Sequence, residues 1–132
     1  MSVLYGWAVA SGQGLEHTYV TSSDGQAWDC WGPGHNGRLV CSGEANSGQA
    51  ACLSQKNSHA GILYGLTGVS HQTANRILYP ARRIVSGAAN YWHTFFLYGT
   101  YGLSVIKFRN RISNCLSSTK KNIPGPLPDL NK

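Results

Sequence analysis

Apolar runs and turn signals predict an extended first quarter of the chain. Residues 3–10 form a mostly apolar run, and residues 16–22 contain the Thr, Tyr and Val that favour a strand. The Asp-Gly pair at residues 24–25 is a strong signal for a tight hairpin turn. Residues 26–31 are therefore expected to return as the partner strand, which gives an antiparallel sheet at the start of the chain.

The next segment, residues 32–55, shows little hydrophobic periodicity and is rich in Gly, Ser and Asn. This composition predicts a long surface loop that contains one short strand near residues 38–41. Residues 60–66 are expected to form either another short strand or an irregular approach to the helix that follows.

Helical spacing characterises the second half of the chain. Residues 70–79 are predicted to form a helix with one apolar face, which Pro80 stops. A second helix is predicted over residues 88–96, with an aromatic stripe that belongs to the core and Gly99 just past its end. Residues 103–108 are predicted to be a strand. The pattern as a whole predicts an α+β domain.

The chain of 132 residues is long enough for one domain with a real core. Residues 1–119 are assigned to that domain, and residues 120–132, with three prolines, to an extended and mobile tail. No run approaches the roughly 20 apolar residues of a membrane span, and the first residues lack a secretory signal. We expect a protein made in the cytoplasm without a signal peptide and without a membrane span. Three explanations stay open: it works in the cytosol, it leaves by a route that needs no signal, or the chain has been trimmed at its start.

Basic residues outnumber acidic ones by 11 to 5, and the formal charge is +6. Such a surface attracts polyanions such as peptidoglycan carboxylates, anionic lipids or nucleic acid. Part of the charge lies in residues 107–121, where it forms either a solvated edge or a patch that steers substrate. No RRM, OB or zinc signature is present, so nucleic acid is not an expected partner.

Four cysteines, Cys30, Cys41, Cys52 and Cys115, allow three disulfide pairings, and the sequence does not choose among them. Cys30 and Cys41 flank a Gly-rich loop that a bridge between them could close, while buried free thiols are the alternative. None of the four shows C-x-x-C spacing. No metal and no cofactor are therefore expected.

A candidate nucleophile stands at the predicted start of the first helix. Ser70 follows a Gly-led turn, at the position where the helix should begin. Backbone N–H groups at a helix N-terminus have no intrahelical acceptor, and the helix dipole is positive there. Both effects lower the pKa of a nucleophile and stabilise an oxyanion, for which the N–H of Ser70 is the expected donor.

Among five histidines, His17 is the best candidate for the general base. It lies early in the predicted second strand, where the backbone holds the imidazole rigidly. His71 is expected to point about 100° away from Ser70 around the helix axis. The remaining histidines have plainer interpretations: His35 and His59 as exposed loop residues, and His93 as a partly buried structural residue.

The sequence does not identify the group that accepts a hydrogen bond from the His17 imidazole and so orients it. Asp24 fits a turn former, and Asp29 faces away from His17 by the two-residue period of a strand. A backbone carbonyl or a glutamine would serve. Gln13 and Gln72 are the polar candidates, although Gln72 could equally be an exposed helix residue.

Residues 68–72, Gly-Val-Ser-His-Gln, resemble the Gly-Val-Cys-His-Gln motif of the second family of type VI secretion amidase effectors. That family and its relatives captured by animals are cysteine peptidases that act on bacterial peptidoglycan, and Ser70 stands where they carry Cys. The similarity covers most of the chain, in residues 5–7, 11–20, 28–31, 68–72 and 97–102. We therefore interpret Ser70 as a substitution at the nucleophile position.

The resemblance implies a permuted papain-like, NlpC-type fold in which an antiparallel sheet packs on the nucleophile-bearing helix. It implies cleavage of the cross-link between D-alanine and meso-diaminopimelate, in the periplasm of a rival cell, after injection by the type VI secretion apparatus. A cognate immunity protein is implied as a partner. The catalytic positions would be Ser70 and His17. From the residues themselves, Gln13 and Gln72 are predicted as polar substrate contacts and Trp28 as an aromatic wall of the groove. For Trp28 the favoured alternative is burial between two packed strands.

The first predicted function is an amidase whose activity is small or absent because Ser70 replaces the nucleophilic cysteine. Two other functions stay open. A serine hydrolase would use Ser70 natively, although the chain lacks the G-x-S-x-G elbow. A non-enzymatic cationic module that binds the cell wall would account for the basic C-terminal quarter.

Overall fold

The computed structural model describes residues 1–11, 16–28, 36–55 and 59–117, which contain a four-stranded antiparallel sheet and four α-helices. In chain order the elements are β1 (Ser2–Val9), β2 (His17–Ser22), β3 (Ala27–Trp28), β4 (Arg38–Ala45), α1 (Ser47–Leu53), α2 (Ser70–Ile77), a 3₁₀ turn (Tyr79–Ala81), α3 (Tyr91–Tyr98) and α4 (Val105–Ser117). The predicted α+β class and antiparallel sheet are confirmed. The predicted tail, residues 120–132, lies outside the described residues.

The sheet has the order β3-β2-β1-β4, so the long strand β1 pairs antiparallel with both β2 and β4. Burial alternates along β1, with Leu4, Gly6 and Ala8 turned inward. A side chain at Gly6 would begin 2.8 Å from the sulfur of Cys41 and 3.0 Å from Val85. The absence of a Cβ there lets the sheet approach the segment that follows α2.

The helix α2 packs against the inner face of the sheet. Its apolar residues Ala74 and Ile77 join Leu4, Ala8 and Val20 of the sheet in one buried cluster. All eight residues of α2 are buried, including the polar ones, so this helix is enclosed on every side. The expected helix over residues 70–79 is thus confirmed at its start and ends two residues early, because a 3₁₀ turn that contains Pro80 begins at Tyr79.

A second buried cluster joins α1 and α4 beneath the sheet–helix core. A disulfide between Cys52 of α1 and Cys115 of α4 ties the two helices together across 63 residues of chain. In the chain-entropy model a loop of that length stabilises the fold by about 4 kcal/mol. Cys41 carries a free thiol, so it makes no bridge to Cys30, which lies outside the described residues.

The expectation of a long loop over residues 32–55 is wrong in its second half. Strand β4 pairs with β1 along its length, although a register shift at Gly6 and Trp7 interrupts the ladder. Helix α1 follows at once, because the side chain of Asn46 accepts a hydrogen bond from the Gln49 N–H at 3.2 Å and so caps the helix. The segment 60–66 is irregular, one of the two expected alternatives.

The strand predicted over residues 103–108 is also wrong, because α4 begins there. Ser104 adopts a left-handed φ of 61° and redirects the chain into the helix. The apolar side chains of Phe108, Ile112 and Leu116 then recur at every fourth residue and fill the second cluster. The six residues 103–108 are too short a stretch to distinguish the helical spacing of apolar residues from the two-residue alternation of a strand.

The aromatic helix α3 lies over residues 91–98, and Gly99 follows it with a φ of 76°, a backbone conformation that favours glycine. Tyr91 is buried, but Trp92 is 60 % and Phe96 is 81 % exposed. The expectation that the whole stripe belongs to the core is therefore wrong for its outer residues. Across the described ranges, no helix combines the length and apolar character that a bilayer crossing requires.

Candidate active site

A tight turn places Ser70 at the first position of α2. A Cβ at Gly68 would approach the side chains of Gln72 and Ile62 to 3.0 Å, so only glycine fits there without displacement. Val69 is extended, and its carbonyl accepts from the Thr73 N–H at 3.1 Å. The N–H groups ahead of Thr73, including that of Ser70, have no acceptor within the helix. This arrangement agrees with the predicted oxyanion donor.

The Gln72 side chain fixes this turn. Its Oε1 accepts from the Val69 N–H, and its Nε2 donates to the Gly99 carbonyl, both at 3.1 Å. Gln72 is fully buried, so the interpretation as an exposed helix residue is wrong. A substrate contact at Gln72 stays a prediction, and it would have to share or replace one of these bonds.

The Ser70 hydroxyl contacts the start of β2. Its Oγ accepts a hydrogen bond from the Thr18 N–H at 3.2 Å, and Ser70 is only 1 % exposed. Two covalent bonds separate that nitrogen from the Cα of His17, which therefore lies within about 6 Å of the hydroxyl. The fold thus brings the backbone of the predicted base beside the predicted nucleophile.

The His17 ring lies on the side of β2 that carries Tyr19. The two rings stack at 6.3 Å and 20°, and Tyr19 stacks in turn on Trp7 of the neighbouring strand. His17 pairs with Val9 at the end of the ladder and is 5 % exposed. Val20, which alternates with His17 and Tyr19 along the strand, lies in the cluster with α2. The two-residue period therefore puts the His17 side chain on the face of β2 turned away from α2, and its approach to the Ser70 hydroxyl stays a prediction.

His71 is a second imidazole close to His17. It is fully buried against Tyr91, with ring centroids 6.0 Å apart. The pKa of His71 is lowered to about 4, chiefly by burial; a backbone bond at Ala89 and the Glu16 carboxylate act against this, and the charge of His17 adds a small lowering. His71 points to α3 while Ser70 points to β2, as the predicted helical offset requires.

Glu16 was missed in the sequence, although it is one of five acidic residues and immediately precedes His17. Its carboxylate accepts from Arg38 at 2.7 Å and from the Ala89 N–H at 2.5 Å. Arg38 also donates to the Gly87 carbonyl at 3.0 Å. Glu16 therefore fixes the start of β2 against the segment that covers His71.

The other predicted residues lie around this centre. Trp28 is half-buried, pairs opposite Val20 and packs against the core, so it is on the α2 side of the sheet. Asp24 accepts from Ser22, Gln26 and Ser47, and these bonds lower its pKa to about 2, which confirms its role as a turn former. Gln13, Asp29 and His35 lie outside the described residues. His93 is exposed rather than partly buried, which corrects that expectation.

Within the part of the chain that the structure describes, no group of three or more His, Cys, Asp or Glu side chains is arranged to hold a metal ion. Comparison of the chain with protein-family models, with curated proteins and with solved structures gives no match in any of the three.

Stability should fall as the pH is lowered from 6.5 toward 4, because the unfolded chain protonates His71 in this range and the folded protein does not. The expected slope approaches 1.4 kcal/mol per pH unit, for a total of about 3 kcal/mol. Urea unfolding at stepped pH measures it. The variant His71→Gln, which takes up no proton, should lose much of this slope; an unchanged slope would refute the assignment.

Proposed function

We propose that the chain is a peptidoglycan amidase of the permuted papain-like, NlpC type, with Ser70 in place of the nucleophilic cysteine. The observation that carries this proposal is the contact between the Ser70 hydroxyl, at the start of α2, and the amide that follows His17 on β2. A helix N-terminus and a histidine within reach both favour the thiolate of a cysteine nucleophile, so this contact supports the proposal.

The proposed reaction proceeds through an acyl-enzyme when a thiol occupies position 70. His17 takes the thiol proton, and the sulfur attacks the carbonyl carbon of the cross-link amide. The negative oxygen that forms is stabilised by helix-start N–H groups, among them that of Ser70. Protonated His17 gives its proton to the leaving amine, and water then hydrolyses the thioester. With a hydroxyl at this position the first proton transfer is much harder, so the present chain has little or no activity.

The proposed substrate is the peptide cross-link between D-alanine and meso-diaminopimelate. Peptidoglycan stems carry carboxylates, which suit a chain of formal charge +6. Trp28 would supply an aromatic wall on the α2 side, and Gln13 and Gln72 would supply polar contacts. By its resemblance, the protein would be injected by a type VI apparatus into the periplasm of a target cell, and the producer would hold an immunity protein.

The identity of the bond cut by the Ser70→Cys variant tests this proposal. Isolated Gram-negative sacculi are incubated with the variant and then digested with muramidase, and the fragments are resolved by chromatography and mass spectrometry. We expect cross-linked dimers to decline and monomers with a new D-alanine carboxyl terminus to accumulate. Intact dimers after prolonged incubation would contradict the proposal.

A second candidate function is a cationic module that binds the cell wall without cleaving it. The near-complete burial of Ser70 favours this alternative, since a nucleophile must be reached by its substrate. Sedimentation with sacculi separates the two functions. Binding by both the present chain and the Ser70→Cys variant, with no cleavage by either, would establish the binding module.

A further inference from the structure

A cavity of 420 Å³ lies between the segment at Gly61 and Leu63 and the first turns of α4. Arg76 of α2 forms part of its wall, six residues along the helix from Ser70. At 1.5 Å per residue this is about 9 Å along the axis, and the rotation of 100° per residue turns Arg76 to another side of the helix. The cavity is therefore separate from the Ser70 and His17 region.

Every charged residue that lines the cavity is basic. These residues are Arg76, Lys107 and Arg111, and no Asp or Glu is among the lining residues. The acidic side chains elsewhere in the described ranges are Glu16, which pairs with Arg38, Asp24, which binds the hydroxyls of its own turn and of α1, and Glu44, which is exposed on β4. Three cations with no internal counter-charge create a strongly positive local field.

Arg76 is held rigidly and is not neutralised. It is 2 % exposed, and its guanidinium donates to the carbonyls of Tyr101 at 2.6 Å, Ala60 at 2.9 Å and Leu103 at 3.1 Å. Burial, with a smaller contribution from Arg111, lowers the pKa of Arg76 to about 10, so it stays charged near neutral pH. Carbonyl dipoles satisfy its hydrogen bonds but leave its full charge facing the cavity.

The guanidinium of Arg111 has a hydrogen-bond donor that no described residue pairs with. Its Nη2 donates to the carbonyls of Cys52 at 3.0 Å, Leu53 at 3.2 Å and Gln55 at 3.3 Å. Its buried Nε has no hydrogen-bond partner among the described residues. A buried donor without a partner is unfavourable unless a ligand or water completes it. Lys107 lies exposed at the mouth and adds a flexible ammonium group.

We propose that this cavity is a binding site for a small anionic group, a carboxylate or a phosphate. Lys107 and Arg111 contact the anion, Arg76 supplies a fixed positive charge behind it, and Leu63 offers an apolar edge to the rest of the ligand. Nothing in this assignment depends on the amidase proposal, since the site needs neither Ser70 nor His17.

Isothermal titration at low ionic strength tests the site with two separate probes, inorganic phosphate and N-acetyl-D-alanine as a carboxylate. The variant Lys107→Ala should weaken binding of the preferred probe about tenfold, the effect of losing one charge-assisted hydrogen bond. Arg109→Ala is the matched control, because it removes the same charge from an exposed position on α4 outside the lining. We expect less than a twofold change for it.

The two probes also distinguish the sources of the anion. Tighter binding of phosphate indicates a phosphorylated ligand, and tighter binding of the carboxylate indicates a peptide terminus or a stem peptide. Equal weakening by Lys107→Ala and Arg109→Ala would show a diffuse surface effect and overturn the proposal. Failure of both probes to give saturable binding would overturn it as well.

Discussion

Replacing Ser70 by cysteine should raise the rate of cross-link hydrolysis by on the order of 10²-fold or more over the present chain. The physical reason is the match of pKa values. A histidine of ordinary pKa near 6.5 can take the proton of a thiol near 8.5, and the helix N-terminus lowers the thiol pKa further. A serine hydroxyl titrates far above this range. Initial rates on purified cross-linked muropeptides, measured by chromatography, give the ratio.

His17→Ala in the Ser70→Cys background provides the control for that rate. Loss of general-base catalysis should reduce turnover by on the order of 10²-fold, with a smaller effect on KM. His93→Ala serves as the matched histidine variant, because His93 is exposed on α3. Equal rates in all three proteins would remove His17 from the catalytic assignment, and equal rates with Ser and Cys at position 70 would remove Ser70 from it.

Replacing Arg76 by methionine should lower the free energy of unfolding by about 4 kcal/mol. Methionine has a similar reach but no donors, so three buried carbonyls lose their partner at once, each worth about 1–3 kcal/mol and not fully additive. The contact of the guanidinium with the Phe108 ring, 4.6 Å from its centroid, is lost as well. Urea unfolding followed by tryptophan fluorescence measures the change.

Arg109→Met is the control for this stability prediction. Arg109 is exposed on α4, so its replacement should change the free energy of unfolding by no more than about 0.5 kcal/mol. The two variants carry the same change in charge and composition. If they unfold at the same urea concentration, the buried guanidinium does not hold the segments around Ala60 and Tyr101 to α2 as we infer.

The parts of the fold that were predictable carry strong local signals. The Asp-Gly turn marks the hairpin of β2 and β3, and the Gly-led turn marks the start of α2. Helix α4 had no such signal, because the apolar pattern of its first turn fits a strand as well as a helix. Only the spacing from Phe108 to Ile112 indicates a helix. The bridge between Cys52 and Cys115 depends on how α1 and α4 pack, which no spacing in the sequence specifies.

The candidate site was predictable only in part, for a reason that lies in α2 itself. Its sequence is mostly polar, which predicts a solvated face, yet every residue is buried. Its polar side chains form hydrogen bonds with the backbone of neighbouring loops instead of with water. Gln72 donates to the Gly99 carbonyl, and Asn75 donates to the Thr100 carbonyl and accepts from the Val85 N–H. Because these segments are distant in sequence, the burial of His71 and the anchoring role of Glu16 could not be predicted.

The pH dependence of alkylation of the Ser70→Cys thiol tests most directly whether His17 and position 70 act together. Peptide mapping by mass spectrometry separates this thiol from Cys41, whose pKa is raised by burial. We predict an apparent pKa well below the ordinary 8.5, and an increase when His17→Ala is added. A thiol that does not react, or one whose pKa stays at 8.5 or higher and ignores the loss of His17, would contradict the account.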